Sequence, residues 1–284
     1  MKILLTGSGG FIGGCLKRAW QARQELYCPR SFELDLCDRQ AVCRYLGEHE
    51  CEVIVHCGTR GGARGIADEP QTVERNLAML NHLLSAKAPS CRVITFGSGA
   101  MYGRFRDLQR IKEEEIGRYQ PEDLYGQSKV EVARLIAPRD DCVCLNIFAC
   151  YGLGEKESRP PSYCINQVLS GHTIELQQNR LFDYLYADDM VRIVGHFLTS
   201  RPKFHNVLNI TPDASTEIVE IARQAVRLNG GVGRITVAKE GLGFAYTGAN
   251  ERLHAEMPDL VFTPFEEGLG RLYTQLKTRR EAEA

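Results

Sequence analysis

Short apolar runs alternate along the first half of this chain with longer amphipathic stretches. The runs are Lys2-Ile3-Leu4-Leu5, Glu25-Leu26-Tyr27-Cys28, Val53-Ile54-Val55-His56-Cys57, Arg92-Val93-Ile94-Thr95-Phe96 and Cys142-Val143-Cys144-Leu145-Asn146-Ile147-Phe148. Near-continuous apolar runs of this length predict parallel strands buried on both faces. Helices are predicted between them: to about Gln24, for roughly ten residues from an Asp38 N-cap, over 70 to 88, and around Tyr125 and Lys129. In the third of these, Asn76 accompanies a Leu77/Leu80/Leu84 stripe that reads as core packing. The rhythm predicts an α/β fold with a doubly wound parallel sheet.

After about residue 150 the rhythm loosens. Pro160-Pro161, a helix near 162 to 170, a short strand at Thr173 to Leu176, and a helix ending near Thr199 are expected, then mixed pieces to the end. The expected division is a dinucleotide-binding unit over 1–150 and about 181–200. A smaller C-terminal lobe over about 151–180 and 201–284 closes on the sheet's ligand edge. The segment Lys277 to Ala284 reads as a fraying helix end.

Composition narrows the class without naming the chemistry. The 284 residues are 43% apolar and 25% charged, ordinary for a soluble globular protein. A net charge of −1 provides no global attraction to nucleic acid or an anionic membrane. No signal peptide or membrane-spanning run is expected. The 11 cysteines include no Cys-x-x-Cys, so free, mostly buried thiols in a reducing cytoplasm are expected, and no metal site.

Two local features carry chemistry. Gly7, Gly10 and Gly13 lie between the first strand and the first helix. Such glycines permit a tight turn and the approach of a pyrophosphate to helix-start N–H groups, although a plain surface turn uses them too. Tyr125 and Lys129 are four residues apart, one turn along one helix face. An ammonium beside a phenol favours phenolate and makes a proton donor and acceptor usable near neutral pH. At the second strand's tip stands Arg30, with Glu33 some residues beyond. An arginine there suits a 2′-phosphate, and hence NADP. The basic, glycine-rich loop Gly58-Thr59-Arg60-Gly61-Gly62-Ala63-Arg64-Gly65 follows the third strand at the same edge.

In order along the chain, Thr6-Gly7-x-x-Gly10-x-x-Gly13, Asp35-Leu36, Ser98 before Tyr102-Gly103, Tyr125-x-x-x-Lys129 and Asp183-Tyr184-x-Tyr186-x-Asp188-Asp189 resemble the extended short-chain dehydrogenase/reductase family. That family comprises nucleotide-sugar epimerases, dehydratases and reductases. The C-terminal Asn250-Glu251-Arg252-Leu253 and Phe262 to Leu269 are similar to its closing segment. The resemblance implies a Rossmann-type fold, an NADP or NAD cofactor, a nucleotide-sugar substrate and a homodimer. It implies that Tyr125 exchanges a proton with a sugar oxygen, that Lys129 tunes Tyr125 and bonds the nicotinamide ribose, and that Ser98 bonds the same sugar oxygen. Gly7, Gly10, Phe11 and Ile12 are implied near the pyrophosphate, Asp35 and Leu36 near adenine, Cys57 and Gly58 along the cofactor, and Phe148 near nicotinamide.

Departures from the family's patterns select the reaction. Gly99-Ala100 replace the Asp-Glu of the 4,6-dehydratases, and Ala100 replaces the cysteine of the GDP-fucose-forming epimerase-reductase. Ala149 and Phe182 replace a usual Asn and Arg that hold the substrate diphosphate, so Arg180, Arg159 or Arg252 is expected to serve instead. The reading is an NADP-preferring reductase of the C4 carbonyl of a nucleotide sugar. The alternatives are a 4-epimerase with tightly bound NAD and a non-catalytic dinucleotide-sensing module.

Overall fold

The computed structural model describes residues 1–63 and 65–283; Arg64 of the basic loop and the final Ala284 lie outside the described residues. Six strands form one sheet in the spatial order Glu25–Tyr27, Lys2–Thr6, Val53–His56, Arg92–Ser98, Cys142–Ile147, Val207–Asn209. Every neighbouring pair is parallel. The chain steps one way from the first strand to the second, then crosses back to the third. Loops on the two sides of that reversal diverge at the strands' carboxyl ends and leave a crevice there.

Side chains alternate between two helical layers because successive strand residues point to opposite faces. Leu4, Ile54, Cys142 and Cys144 pack with Val42, Leu80, Leu83 and Ile136 on one face. Ile3, Leu5, Val143 and Leu145 pack with Leu16, Trp20, Met190 and Phe197 on the other. Asp38 caps the helix Arg39–Glu48, accepting from the N–H groups of Gln40 and Ala41. The helix expected over 70 to 88 spans Thr72–Ala86. All eleven cysteines are free thiols; six are buried and Cys43 is exposed. Among the described residues no helix is long and apolar enough to cross a membrane.

The smaller lobe has its own core, in which Ile165, Val168 and Ile174 meet Ile221, Ala225 and Leu272. Pro160 and Pro161 open the helix Pro160–Leu169, where a missing N–H costs nothing. Two segments cross the expected division. Val207–Asn209, placed by sequence in the lobe, is the edge strand of the large sheet. Leu108–Ile111, for which the sequence predicted no strand, pairs with Tyr246–Gly248 in a four-stranded sheet of the lobe. The first unit therefore lends a strand to the second, which fixes where the lobe sits over the sheet edge.

The glycine turn is the tightest joint. Gly7 has φ +69°, and a Cβ there would lie 2.6 Å from the backbone of Cys57 and Gly58. A Cβ on Gly13 would overlap the Gly7 carbonyl oxygen. Gly13→Ala is expected to lower stability by about 1–3 kcal/mol through this overpacking, read as a lower urea midpoint at unchanged slope.

Candidate active site

Gly10 caps the helix Phe11–Trp20 without a side chain, and its N–H bonds Gly7 O at 3.0 Å. The first-turn N–H groups, those of Phe11 and Ile12 among them, have no intrahelical carbonyl to bond. They start at a turn packed so closely that a Cβ at Gly7 or Gly13 would clash with the backbone of Cys57, Gly58 or Gly7. Beside it is a cavity of about 360 Å³, lined by Gly7, Gly9, Arg30, Asp35, Leu36 and Arg60 among others. The Arg30 guanidinium lies over Gly9, with Nη1 3.4 Å from where a Cβ would stand. Glu33 does not line this cavity; its carboxylate accepts the Arg30 N–H at 2.6 Å. Asp35 and Leu36 are fixed by their neighbours: Asp35 Oδ1 accepts from Cys37 N, and Leu36 O bonds His82. Arg60, from the basic glycine-rich loop expected at this edge, is a second guanidinium on this wall.

Tyr125 and Lys129 lie on the helix Leu124–Ile136, capped by Asp123, which accepts from Gly126 N at 2.7 Å. Lys129 is 6% exposed. Its ammonium donates to Phe96 O at 2.9 Å and stands 5.3 Å from the Tyr125 ring centroid. The nearby imidazole of His56 is buried and bonded to Thr6 Oγ1 at 2.8 Å. Burial, assisted by the Lys129 charge, pushes that imidazole down to about 3, so it is neutral.

The loop after the third strand closes on this pair. Asp68 accepts from Gly62 N at 2.8 Å and from Tyr125 N at 2.7 Å, tying loop to helix through one carboxylate. Gly62 has φ +72°, and a Cβ there would come within 2.9 Å of the Tyr125 ring. Buried Asn76 accepts from Arg60 N and donates to Arg60 O and Ser128 Oγ. The glycine loop, Asn76 and the Tyr-Lys helix are thus one hydrogen-bonded unit. Spacing could not have joined them, because they meet only in three dimensions.

Ser98 ends the fourth strand, and its Oγ accepts from Ala100 N at 3.2 Å. It opens, with Tyr125, onto a cavity of about 610 Å³ between sheet edge and lobe. Phe148 lies on the cavity floor, between Tyr102 and Tyr246 at ring distances of 5.7 and 5.2 Å. Cys57 and Gly58 back the glycine turn, with the Cys57 thiol pushed up by burial. Three arginines, Arg104, Arg159 and Arg180, reach the walls. Arg104 pairs with Asp123 at 2.9 Å and Arg180 donates to Phe244 O at 3.1 Å. The expectation for Arg252 fails. It does not line the cavity, because Glu114 at 2.6 Å, Glu113 at 3.7 Å and the Val207 carbonyl hold it elsewhere. Arg104, from the charged loop, was missed. Phe182 makes part of the cavity wall and packs on Tyr184 and Tyr246, so apolar surface stands where an arginine is usual.

A model of the NAD dependent epimerase/dehydratase family matches residues 3–211. The chain belongs to the NAD dependent epimerase/dehydratase family. Over 107 residues it is 36% identical to a GDP-L-colitose synthase of Yersinia pseudotuberculosis, a match spanning 36% of this chain and 35% of that relative's length. Its fold is similar to a GDP-mannoheptose C4 reductase from Campylobacter jejuni, with TM-score 0.83, 18% identity and coverage of 97% and 98% of the two chains. It is similar also to a GDP-L-fucose synthetase from Naegleria fowleri, with TM-score 0.82, 15% identity and coverage of 99% and 94%. At these identities the structural likeness is one of fold.

Within this family member, Glu155 is a further acid on the cavity wall that the sequence did not mark. One carboxylate oxygen accepts from Ser162 N and Oγ at 3.0 and 2.7 Å, while Oε2 has no partner among the described residues. Burial pushes this carboxyl up to about 7, against the pull of the Ser162 bonds. The folded state keeps a proton that the unfolded chain releases near 4.5. Stability is therefore lost as pH rises from the unfolded value through about 7. Glu155→Gln removes the ionisation, so its melting temperature relative to wild type should rise between about pH 5 and about pH 8, by the equivalent of at most about 3 kcal/mol.

Proposed function

We propose that this chain is an NADP(H)-dependent reductase acting on the C4 carbonyl of a GDP-linked sugar. The carrying observation is the cavity that Ser98 and Tyr125 share with three arginines, with the Lys129 ammonium 5.3 Å from the Tyr125 ring and a second cavity at the glycine turn along the same sheet. In this reading the large sheet holds the cofactor and the lobe holds the sugar nucleotide. The turn fits a pyrophosphate because the first-turn N–H groups of the helix Phe11–Trp20 lack intrahelical acceptors, and Arg30 over Gly9 fits a 2′-phosphate. The relatives' names support a GDP sugar and reduction at C4.

When bound, the nicotinamide supplies the hydride. The chain's own residues serve the oxygen that gains negative charge. Tyr125 is placed to give that oxygen a proton, and Ser98 to hydrogen-bond it. The Lys129 ammonium stabilises the phenolate that Tyr125 becomes, and Phe96 O keeps that charge in place. Asp68 and Asn76 hold the helix start and the loop that shape the Tyr125 side of the cavity. Arg104, Arg159 and Arg180 supply cationic donors for a diphosphate, the part of the substrate remote from the reacting carbon. Ala100 presents only a methyl group beside Ser98, which argues against water loss or a second proton abstraction from that position.

Added NADPH should be consumed with a GDP-linked 4-keto sugar. Tyr125→Phe should cut kcat by about 100-fold or more while the dissociation constant for NADPH stays within about twofold. A protein that carries bound NAD through purification and never consumes NADPH would instead be an epimerase. Arg30→Ala should weaken NADPH by about 10- to 100-fold, the loss of a charge-assisted pair, and leave NADH nearly unchanged in a fluorescence titration.

A further inference from the structure

No cysteine takes part in the chemistry proposed above, yet two of the eleven thiols touch. Cys51 precedes the strand Val53–His56 and Cys91 precedes the strand Arg92–Ser98, at the amino edge of the sheet. Their Sγ atoms are 3.7 Å apart, although the residues are 40 positions apart in the chain. The backbone holds them there. Glu52 N donates to Lys2 O at 2.9 Å and Arg92 N donates to Glu52 O at 3.1 Å, so the two segments are laced together one residue from each cysteine. Cys91 N donates to Ala88 O at 3.0 Å. The Lys87 ammonium donates to Cys91 O at 2.8 Å while pairing with Asp141 at 2.6 Å. The pair lies near the surface: Cys51, 8% exposed, stands between exposed Glu50 and Glu52, and Cys91 follows exposed Ser90. Sulfurs already in contact need only side-chain rotation, and no movement of the strands, to be joined.

Either thiol can donate across this contact, and Cys91 Sγ also has Arg92 O as an acceptor at 3.6 Å. Donation from Cys91 holds the Cys51 thiol below its ordinary value, and the same bond, with burial, pushes Cys91 up. Cys51 is therefore the sulfur that ionises first and attacks. Cys142, which opens the next strand of the sheet, differs: burial and its bond to Asp141 at 3.2 Å push its thiol up to about 12. We propose that Cys51 and Cys91 are an oxidisable dithiol, a site at which a peroxide closes a disulfide between the amino ends of the third and fourth strands. The Cys51 thiolate displaces hydroxide from hydrogen peroxide and becomes a sulfenic acid. The Cys91 sulfur then attacks that sulfur, the S–S bond forms, and the sulfenic oxygen leaves as water with the Cys91 proton. Two thiols and one peroxide give one disulfide and two waters, so two electrons pass from sulfur to peroxide. A dithiol reductant reverses the step by exchange. The proposal does not depend on the reductase reading.

The test exposes the folded, cofactor-free protein to hydrogen peroxide and maps its peptides by tandem mass spectrometry. The expected product is about 2 Da lighter, carries a Cys51–Cys91 bond and regains its mass with dithiothreitol. In the denatured product, two of the eleven thiols should fail to alkylate. Cys51→Ala and Cys91→Ser, made separately because either can lower stability, should each abolish this product, and Cys142→Ser should keep it. Closing a loop of 40 positions in its native geometry should raise the melting temperature of wild type by about 5–10 °C, and reductant should return it. Absence of a Cys51–Cys91 bond while circular dichroism still reports folded protein overturns the proposal. A bond to another cysteine, or oxidation confined to exposed Cys43, overturns it equally. So does a crosslink that lowers the melting temperature, because it would have formed against the native geometry.

Discussion

One buried cation organises the cavity edge of this molecule. The Lys129 ammonium lies almost out of water at the end of the fourth strand, held by the Phe96 carbonyl and facing the Tyr125 ring. An ammonium taken from water is costly unless donors find acceptors, so its neighbours are constrained. His56 beside it must be neutral, and it is tied to Thr6 in that form. The parallel sheet is what delivers Phe96 O, Thr6 and His56 to one edge, since its strands end together there.

Around that cation the site is assembled from distant segments. Asp68 joins Gly62 to the start of the Tyr125 helix, Asn76 joins the same loop to Ser128, and Tyr246 lines the Ser98 cavity from the lobe. The Asp68 and Asn76 hydrogen bonds, of 2.7 to 3.0 Å, limit the freedom of the Tyr125 side of the cavity. In the proposed reading, hydride exchange at one carbinol carbon needs this kind of fixed distance more than it needs additional reactive groups. The plain methyl of Ala100 and the apolar wall made by Phe182 agree with that economy.

The strands, the glycine turn, Ser98 at a strand end and Tyr125 with Lys129 on one helix were all legible in the chain. Each is a local matter. Strand and helix periods are set over a few residues, and the steric demand at Gly7 and Gly13 arises within one turn. The strand Leu108–Ile111 was hidden because charged residues surround it and its partner is far away in sequence. Val207–Asn209 was hidden because three residues carry too little pattern to be told from lobe structure.

The arginines mark the boundary most sharply. By sequence alone Arg252 and Arg180 were equivalent candidates for a diphosphate, and Arg104 was one more charge in a loop. Packing sends Arg252 to Glu114, 138 positions away, while Arg104 and Arg180 reach the cavity. A side chain's direction follows from which segments cover it, and no local pattern encodes that. The sequence by itself determined the fold class, the glycine turn and the placing of Tyr125 and Lys129 on one helix face, because short-range sterics and periodicity impose them. Only the tertiary structure decided which cations and which phenols line the cavity, because those contacts exist only after the lobe has closed over the sheet.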